Sequence, residues 1–183
     1  MREAFSEVKL RVYKNSKCEQ FGILHKRVLF YTDTSMIKAF HRDHNNEARV
    51  IDAIRQTDIC PTVKQIVYTK NYACIEMERM EGTMEDLYEQ GDSRKEDYLR
   101  ALSKATSFWK LGFRHGDLHH QNFVYRTRND GSRDWFLIDF EESTRTPHPV
   151  QPITFSLDDS PLDVFHNIFM HDQRRECVPK YRN

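Results

Sequence analysis

The chain has 183 residues, of which 38% are hydrophobic and 12% are aromatic. Such a composition carries enough core-forming residues to exclude general disorder, and we predict a single domain over residues 1–183. Lysine plus arginine equals aspartate plus glutamate at 28 each, so the net charge gives no argument for a nucleic-acid partner. No run approaches the length of about eighteen apolar residues that a membrane helix needs, so we predict no membrane span.

The cysteines and the first residues bear on the cellular compartment. The four cysteines are widely spaced and form no C-x-x-C pair, which favours reduced and buried thiols over a zinc site or a disulfide framework. They are Cys18, Cys60, Cys74 and Cys177. The start of the chain is charged and mixed, unlike the apolar stretch of a signal peptide. We therefore expect an intracellular protein, located in the cytoplasm or the nucleus.

The first half of the chain predicts a small antiparallel sheet with one helix. Short segments rich in β-branched and aromatic residues predict strands at 8–13, 27–31, 35–40, 64–68 and 72–77. Apolar residues at helical spacing predict a helix over 47–55, with Asn45 or Asn46 as its cap. The dipeptide Glu81-Gly82 then interrupts the apolar pattern and is interpreted as the link between two lobes.

The second half predicts a long helix, a β-hairpin and a last helix. Residues 96–111 form the long helix, which Gly112 is expected to end. The apolar positions of this helix are Leu99, Leu102, Thr106 and Trp109. The strands of the hairpin are Phe123–Arg126 and Trp135–Ile138. Ser160-Pro161 predicts the start of the last helix, and residues 171–183 predict a basic tail.

Three polar residues around the hairpin are the most informative about function. Asp117 lies five positions before Asn122, which directly precedes the first strand, and Asp139 follows the second strand. Because a hairpin brings its two ends together, the three side chains are expected to converge. Phosphoryl transfer uses such a set, with Asn122 and Asp139 as oxygen ligands of Mg²⁺. Asp117 can then orient an attacking hydroxyl and accept its proton.

The pattern H-G-D-L-x-x-x-N, followed by L-I-D-F, resembles the catalytic loop and metal motif of the protein-kinase superfamily. Gly116, where most protein kinases have arginine, is similar to atypical and small-molecule kinases. In particular, the chain resembles the small kinase of the KEOPS tRNA-modification complex. That family combines a glycine-containing loop with an E-A-R helix, here starting at Glu47, a very short C-terminal lobe and a basic tail.

The resemblance implies an α+β, bilobal, protein-kinase-like fold. A small antiparallel-sheet N-lobe would cover residues 1–80, and a truncated, mostly helical C-lobe would cover residues 81–170. The basic tail at 171–183 would follow. ATP and Mg²⁺ would bind in the cleft between the two lobes.

The resemblance also implies a role for individual residues. Asp117 would be the catalytic base, and Asn122 and Asp139 would be the metal ligands. Lys38, in the third strand, would hold the α- and β-phosphates of ATP. Glu47 would be the ion-pair partner of Lys38 on the following helix.

Four further roles follow from the resemblance. Met77 would lie at the back of the adenine pocket. Glu78 and Met80 would belong to the hinge and offer backbone groups to the base. Asp163 would brace the catalytic loop from below.

The chain departs from the kinase pattern in three places. No G-x-G-x-x-G lies between the first two strands, where Gly22 is the only glycine. Glu141 replaces the glycine of D-F-G, and its carboxylate would either recruit a second metal or weaken the first site by charge repulsion. No A-P-E sequence follows, so most of the surface on which ordinary kinases dock peptides is absent.

Simpler structural interpretations compete with the site residues. Asp117 and Asn122 also suit a turn and a cap, because both residue types favour loops. Asp139 also suits a plain strand end. Lys38 and Glu47 also suit surface positions, with the glutamate favoured by the helix dipole.

Three more positions have alternatives. Asp163 either braces the loop or closes a capping box with Ser160. His115 is predicted to be a packed structural histidine rather than a proton carrier. The adjacent His119 and His120 either are solvated or belong to a transition-metal site, for which the sequence shows no third ligand nearby.

These features predict an ATP- and Mg²⁺-dependent phosphotransferase, either an atypical serine/threonine protein kinase or an ATPase. One alternative is a small-molecule kinase, because Gly116 and the missing peptide platform also suit enzymes that act on sugars or amines. Another is a kinase-derived binding module that occupies a partner of a full kinase. The expected partners are ATP and a protein substrate or partner. The basic tail would either contact tRNA or another RNA or serve only solubility.

Overall fold

The structure, a computed structural model, describes residues 19–24, 27–41, 45–70, 72–146 and Asp172. The predicted strand at 8–13 and the predicted last helix after Ser160 lie outside these residues. Within the described part of the chain, no helix is long and apolar enough to cross a membrane.

A five-stranded antiparallel sheet forms the first lobe. Its strands are β1 (Glu19–Leu24), β2 (Arg27–Tyr31), β3 (Ser35–His41), β4 (Val63–Tyr68) and β5 (Tyr72–Glu78), in the spatial order β1-β2-β3-β5-β4. The sequence predicted β2 to β5 correctly and missed β1. That strand contains Glu19, Gln20 and Gly22, which are poor strand formers, and its pairing with β2 shifts register around Gly22.

Helix α1 (Asn46–Ile54) connects β3 to β4. Its apolar face, with Ala48, Ile51 and Ile54, is buried in the core, and this burial stabilises so short a helix more than its propensity does. The helix was predicted to within one residue at each end. Asn45 is the N-cap residue, as predicted, although its side chain makes no capping hydrogen bond.

The second lobe combines two helices with short strands. They are β6 (Gly82–Thr83), α2 (Met84–Glu89), α3 (Lys95–Lys110), β7 (Phe113–Arg114), β8 (Phe123–Thr127), β9 (Arg133–Leu137) and β10 (Thr144–Arg145). Strands β6, β8 and β9 form one sheet, and β7 pairs with β10. Helix α3 and the β8–β9 hairpin were predicted. Helix α2 was missed, although Thr83 and Asp86 form a capping box at its start.

The buried face of α3 differs from the predicted one. Leu102 and Trp109 are buried as expected, whereas Leu99 and Thr106 are only partly buried. The residues buried along this helix are Asp97, Tyr98, Ala101, Leu102, Ala105, Phe108 and Trp109. The small alanines let the helix approach β9 closely, and this packing centres the buried stripe one residue earlier than the apolar pattern suggested.

The α+β class and the small antiparallel-sheet lobe are therefore as predicted. Two of the cysteines also behave as expected: Cys60 and Cys74 are free and buried. Burial raises the pKa of the Cys60 thiol to about 12 and that of the Cys74 thiol to about 11. Both thiols therefore stay protonated and unreactive near neutral pH. Cys18 and Cys177 lie outside the described residues.

Candidate active site

A buried ion pair lies at the centre of the first lobe. Lys38 of β3 places its Nζ 2.8 Å from Oε1 and 3.1 Å from Oε2 of Glu47, on α1. The same Nζ lies 3.4 Å from Oδ1 of Asp139, which belongs to the second lobe. Lys38 and Glu47 are only 5% and 1% exposed. Removing two charges from water is costly, so a buried ion pair is weak evidence for a stabilising role. A role in binding a charged ligand explains the pair better.

The catalytic loop runs from β7 to β8. Asn122 donates from its backbone N to the carbonyl of His119 at 3.0 Å, which closes a single 3-10 turn over His120–Asn122. The side-chain Nδ2 of Asn122 donates to the carbonyl oxygen of Asp117 at 2.8 Å. This bond fixes the start of the loop, while the carboxylate of Asp117 is 48% exposed and accessible to a substrate.

The β8–β9 hairpin brings Asp139 to the same place. Its register pairs Phe123 with Leu137, and Ile138 donates from its N to the carbonyl of Asn122 at 3.1 Å. Asp139 follows directly, with φ of 63° and ψ of 61°. Among the described residues, it is the only non-glycine with a positive φ. Strained backbone of this kind is found preferentially at functional sites.

The loop is held from below by Asp172, which is 3% exposed. Its Oδ1 accepts from the backbone N of His115 at 3.0 Å and from Nε1 of Trp109 at 3.1 Å. Its Oδ2 accepts from the backbone N of Gly116 at 2.6 Å. Asp172 thus braces the loop; Asp163, to which the sequence prediction gave a bracing role, lies outside the described residues. Asp172 is the one residue of the predicted tail that the structure describes, and it is buried.

His115 is fully buried and packs between aromatic rings, as predicted for a structural histidine. Burial lowers its pKa, although the negative charge of Asp172 acts in the opposite direction. The neutral ring places Nε2 2.8 Å from the carbonyl of Ile138 and therefore donates to it. His115 thus links the catalytic loop to the strand end that carries Asp139.

Gly116 is required by the geometry of the loop. Its φ is +84°, and a Cβ atom at this position would lie 2.5 Å from the carbonyl oxygen of Glu142. No side chain fits there without moving the backbone. The segment after Asp139 therefore packs directly against the loop, which explains in this chain why the position is not arginine.

Asn46 connects the two lobes, a contact that the sequence did not predict. Its Nδ2 donates to the carbonyl of Glu141 and to the carbonyl of Ser143, both at 2.8 Å. Because Asn46 directly precedes Glu47, these bonds hold the start of α1 beside the segment that follows Asp139. The sequence interpretation of Asn46 as a cap could not reveal this contact, because the acceptors lie about a hundred positions away in the chain.

A cleft of about 160 Å³ opens beside these residues. It is lined by Tyr31, Met36, Pro61, Glu78, Arg79, Met80, Gly82, Thr83, Val124 and Ile138. Glu78 and Met80 thus lie where the hinge was expected. Met77 is not among the lining residues and is buried in the core, paired with Met36 across the sheet. A mostly apolar cleft with a backbone segment along one side suits a planar base.

Asn122 and Asp139, the predicted metal ligands, carry oxygen atoms of the type that would hold Mg²⁺. The amide nitrogen of Asn122 faces Asp117, which leaves the amide oxygen on the opposite side of the group. An amide oxygen and the carboxylate of Asp139 are both oxygen donors of the kind that Mg²⁺ prefers. No three His, Cys, Asp or Glu side chains cluster as a complete metal site in the described ranges. A site with only the side chains of Asn122 and Asp139 would suit Mg²⁺, because proteins usually bind this ion through one or two side chains plus phosphate oxygens.

The neighbouring histidines face different partners. Nε2 of His119 lies 3.0 Å from Nδ2 of Asn122 and 3.4 Å from Oδ2 of Asp117. The ring of His120 instead stacks on Tyr88, with ring centroids 6.0 Å apart and planes 6° apart. The two rings therefore do not form a shared metal site.

A sheet lobe and a mixed second lobe, which meet where Lys38 contacts Asp139, define a protein-kinase-like fold. The model of the lipopolysaccharide kinase (Kdo/WaaP) family matches residues 31–151, which is more than half of the chain. The chain therefore belongs to this family.

The solved structures support the same fold. The crystal structure of monomeric WbdD matches with a TM-score of 0.51 and 19% identity over 67% of this chain. The matched part is 33% of the length of that chain, and at this identity the likeness shows the fold alone. No curated protein matches the chain. The specific resemblance to the KEOPS kinase is not confirmed; what is shown is membership of another family of the superfamily.

Proposed function

We propose that the protein transfers the γ-phosphoryl group of ATP to a hydroxyl group of a carbohydrate or another small molecule. The observation that carries this proposal is the contact of Lys38 with both Glu47 and Asp139. Through this contact, Lys38, which would hold the phosphates of ATP, is linked to the hairpin end that follows the loop of Asp117 and Asn122. The family name supports a carbohydrate acceptor, and Gly116 supports a small-molecule kinase over a serine/threonine protein kinase.

Each residue has a definite task in this reaction. Lys38, held by Glu47, orients the phosphates of ATP. Asp117 orients the acceptor hydroxyl and takes its proton as the new P–O bond forms and the bond to the β-phosphate oxygen breaks. Asn122 and Asp139 would hold Mg²⁺, which neutralises the charge that develops on the phosphate oxygens.

A binding module without catalysis is the alternative of a different class. The buried Lys38–Glu47 pair argues against it, because such a pair is often replaceable by apolar residues without loss of stability. A protein that acts only by binding a partner through its surface would not require this buried ion pair. Serine/threonine specificity, a protein or RNA partner and an intracellular location stay predictions.

Nucleotide binding is the first test of this proposal. A thermal-shift titration with ATP, with and without Mg²⁺, should show Mg²⁺-dependent stabilisation of about 2.7 kcal/mol at 100 times the dissociation constant. Asp139→Ala should abolish the Mg²⁺-dependent part. Asp130→Ala, which removes an exposed carboxylate from the hairpin loop, should leave it unchanged. No shift at millimolar ATP would favour the binding module.

Phosphoryl transfer is the second test. Radiolabelled ATP should label carbohydrate-containing acceptors in a screen that also includes proteins. Asp117→Asn, which keeps the shape of the side chain and removes its basicity, should lower the rate by about 10²- to 10⁴-fold. Labelling of proteins alone would refute the carbohydrate acceptor while leaving the kinase assignment intact.

A further inference from the structure

We propose that His119 is a positioning residue that fixes the amide group of Asn122 in the orientation needed to bind a metal ion. The inference rests on the proposed phosphotransferase function. It concerns one ring nitrogen of His119, the amide of Asn122 and the carbonyl of Asp117.

The 3-10 turn brings the two side chains together. The turn is closed by the bond from the backbone N of Asn122 to the carbonyl of His119. In a 3-10 turn, side chains three residues apart lie above one another. This geometry places Nε2 of His119 3.0 Å from Nδ2 of Asn122. The spacing of three residues between histidine and asparagine is therefore what creates the contact.

The hydrogen bonds of the Asn122 side chain are consistent with only one orientation of its amide group. The carbonyl oxygen of Asp117 is only an acceptor, so the amide atom that faces it at 2.8 Å must be the nitrogen. The same nitrogen faces Nε2 of His119, which must therefore accept, with the ring proton on Nδ1. Both amide hydrogens are then used. Rotation of the amide would place its oxygen against the carbonyl oxygen of Asp117 and Nε2 of His119, so the two contacts hold the amide oxygen away from both.

His119 also lies close to the carboxylate of Asp117. Oδ2 of Asp117 lies 3.4 Å from the same Nε2. Because Nε2 accepts from Asn122 in this arrangement, the contact of His119 with the amide is separate from its approach to this carboxylate. His120, next in the chain, cannot substitute, since its ring stacks on Tyr88.

The test compares variants of His119 in a binding assay. The Mg²⁺ concentration that gives half of the ATP-dependent thermal shift is measured, and direct binding of Mn²⁺ is followed by electron paramagnetic resonance. His119→Ala should raise the half-saturating Mg²⁺ concentration by roughly tenfold, the usual effect of losing a residue that orients a metal ligand. Nucleotide binding without metal should stay unchanged. His119→Gln, whose carbonyl oxygen can accept from Asn122, should recover most of the affinity, and His120→Ala should match the wild-type protein.

Several outcomes would overturn the proposal. An unchanged Mg²⁺ requirement in His119→Ala, with a normal wild-type response, would refute the role of His119 and leave the proposed function standing. An equal loss in His120→Ala would show that the loop is merely loosened. Failure of His119→Gln to recover affinity, although it is folded, would show that the accepting atom is not what matters. Absence of any Mg²⁺-dependent nucleotide binding in the wild-type protein would refute both proposals.

Discussion

The two halves of the active site are built by different means. On the sheet side, Lys38 and Glu47 are brought into contact through their side chains, from a strand and a helix that are close in sequence. On the loop side, side chains bind to the backbone and hold it in place. Asp172 accepts from two consecutive backbone N–H groups, at His115 and Gly116, and His115 donates to the backbone of Ile138.

This difference implies different sensitivities to mutation. The ion pair provides charge for a ligand, and apolar residues of similar size can fill its space. The side chains that bind the loop backbone cannot be replaced by apolar residues in this way, because buried backbone groups that lose their partner bear the full cost of desolvation. We therefore expect that the fold depends more on the residues that brace the loop, and that activity depends on both halves.

The largest effect is expected from Asp172→Ala. It leaves buried N–H groups of Trp109, His115 and Gly116 without their acceptor, which should lower the free energy of unfolding by about 4 kcal/mol or more. Asp172→Asn keeps one accepting oxygen and should lose less. Denaturant unfolding measures both values. Equal and small losses in the two variants would mean that the brace does not stabilise the loop.

A smaller effect is expected from Glu47→Gln. Lys38 then lacks its main buried partner, and the free energy of unfolding should fall by about 3 kcal/mol. The double variant Lys38→Met with Glu47→Leu should recover most of that loss while phosphoryl transfer remains abolished. A double variant that is as unstable as Glu47→Gln would show that the pair also serves the fold, and the contrast between the two halves would fail.

The smallest effect is a pH dependence due to His115. Burial lowers its pKa in the folded protein below the usual value of 6.5, so the unfolded chain binds the proton more readily. The stabilisation due to neutral His115 is therefore fully present above about pH 6.5 and is lost as the pH falls below it. The slope is at most about 1.4 kcal/mol per pH unit.

This prediction is measured as the difference in unfolding free energy between the wild-type protein and His115→Gln. The glutamine can still donate to the carbonyl of Ile138 but does not titrate. The advantage of the wild-type protein should shrink between pH 7 and pH 5. A difference that is constant over this interval would show that His115 is not held neutral in the folded state.

Much of the architecture followed from local patterns. Strand β3 and the β8–β9 hairpin were predicted from short segments rich in β-branched and aromatic residues, and helix α1 from apolar residues at helical spacing. Strand β1 was missed because its residues are poor strand formers and it depends on pairing with β2. In α3 the pattern gave the extent of the helix but placed the buried stripe one residue late, since the approach of β9 selects which side is covered.

For the candidate active site, the sequence by itself predicted a phosphate-transfer chemistry. The types and spacing of Asp117, Asn122 and Asp139 were sufficient, because a hairpin converts their separation in the chain into proximity. Tertiary structure alone decided what holds them. Asp172 and Asn46 act on backbone groups 56 and 95 positions away, respectively. A backbone N–H or carbonyl is the same in every residue, so no residue type in the sequence marks which one will receive such a bond.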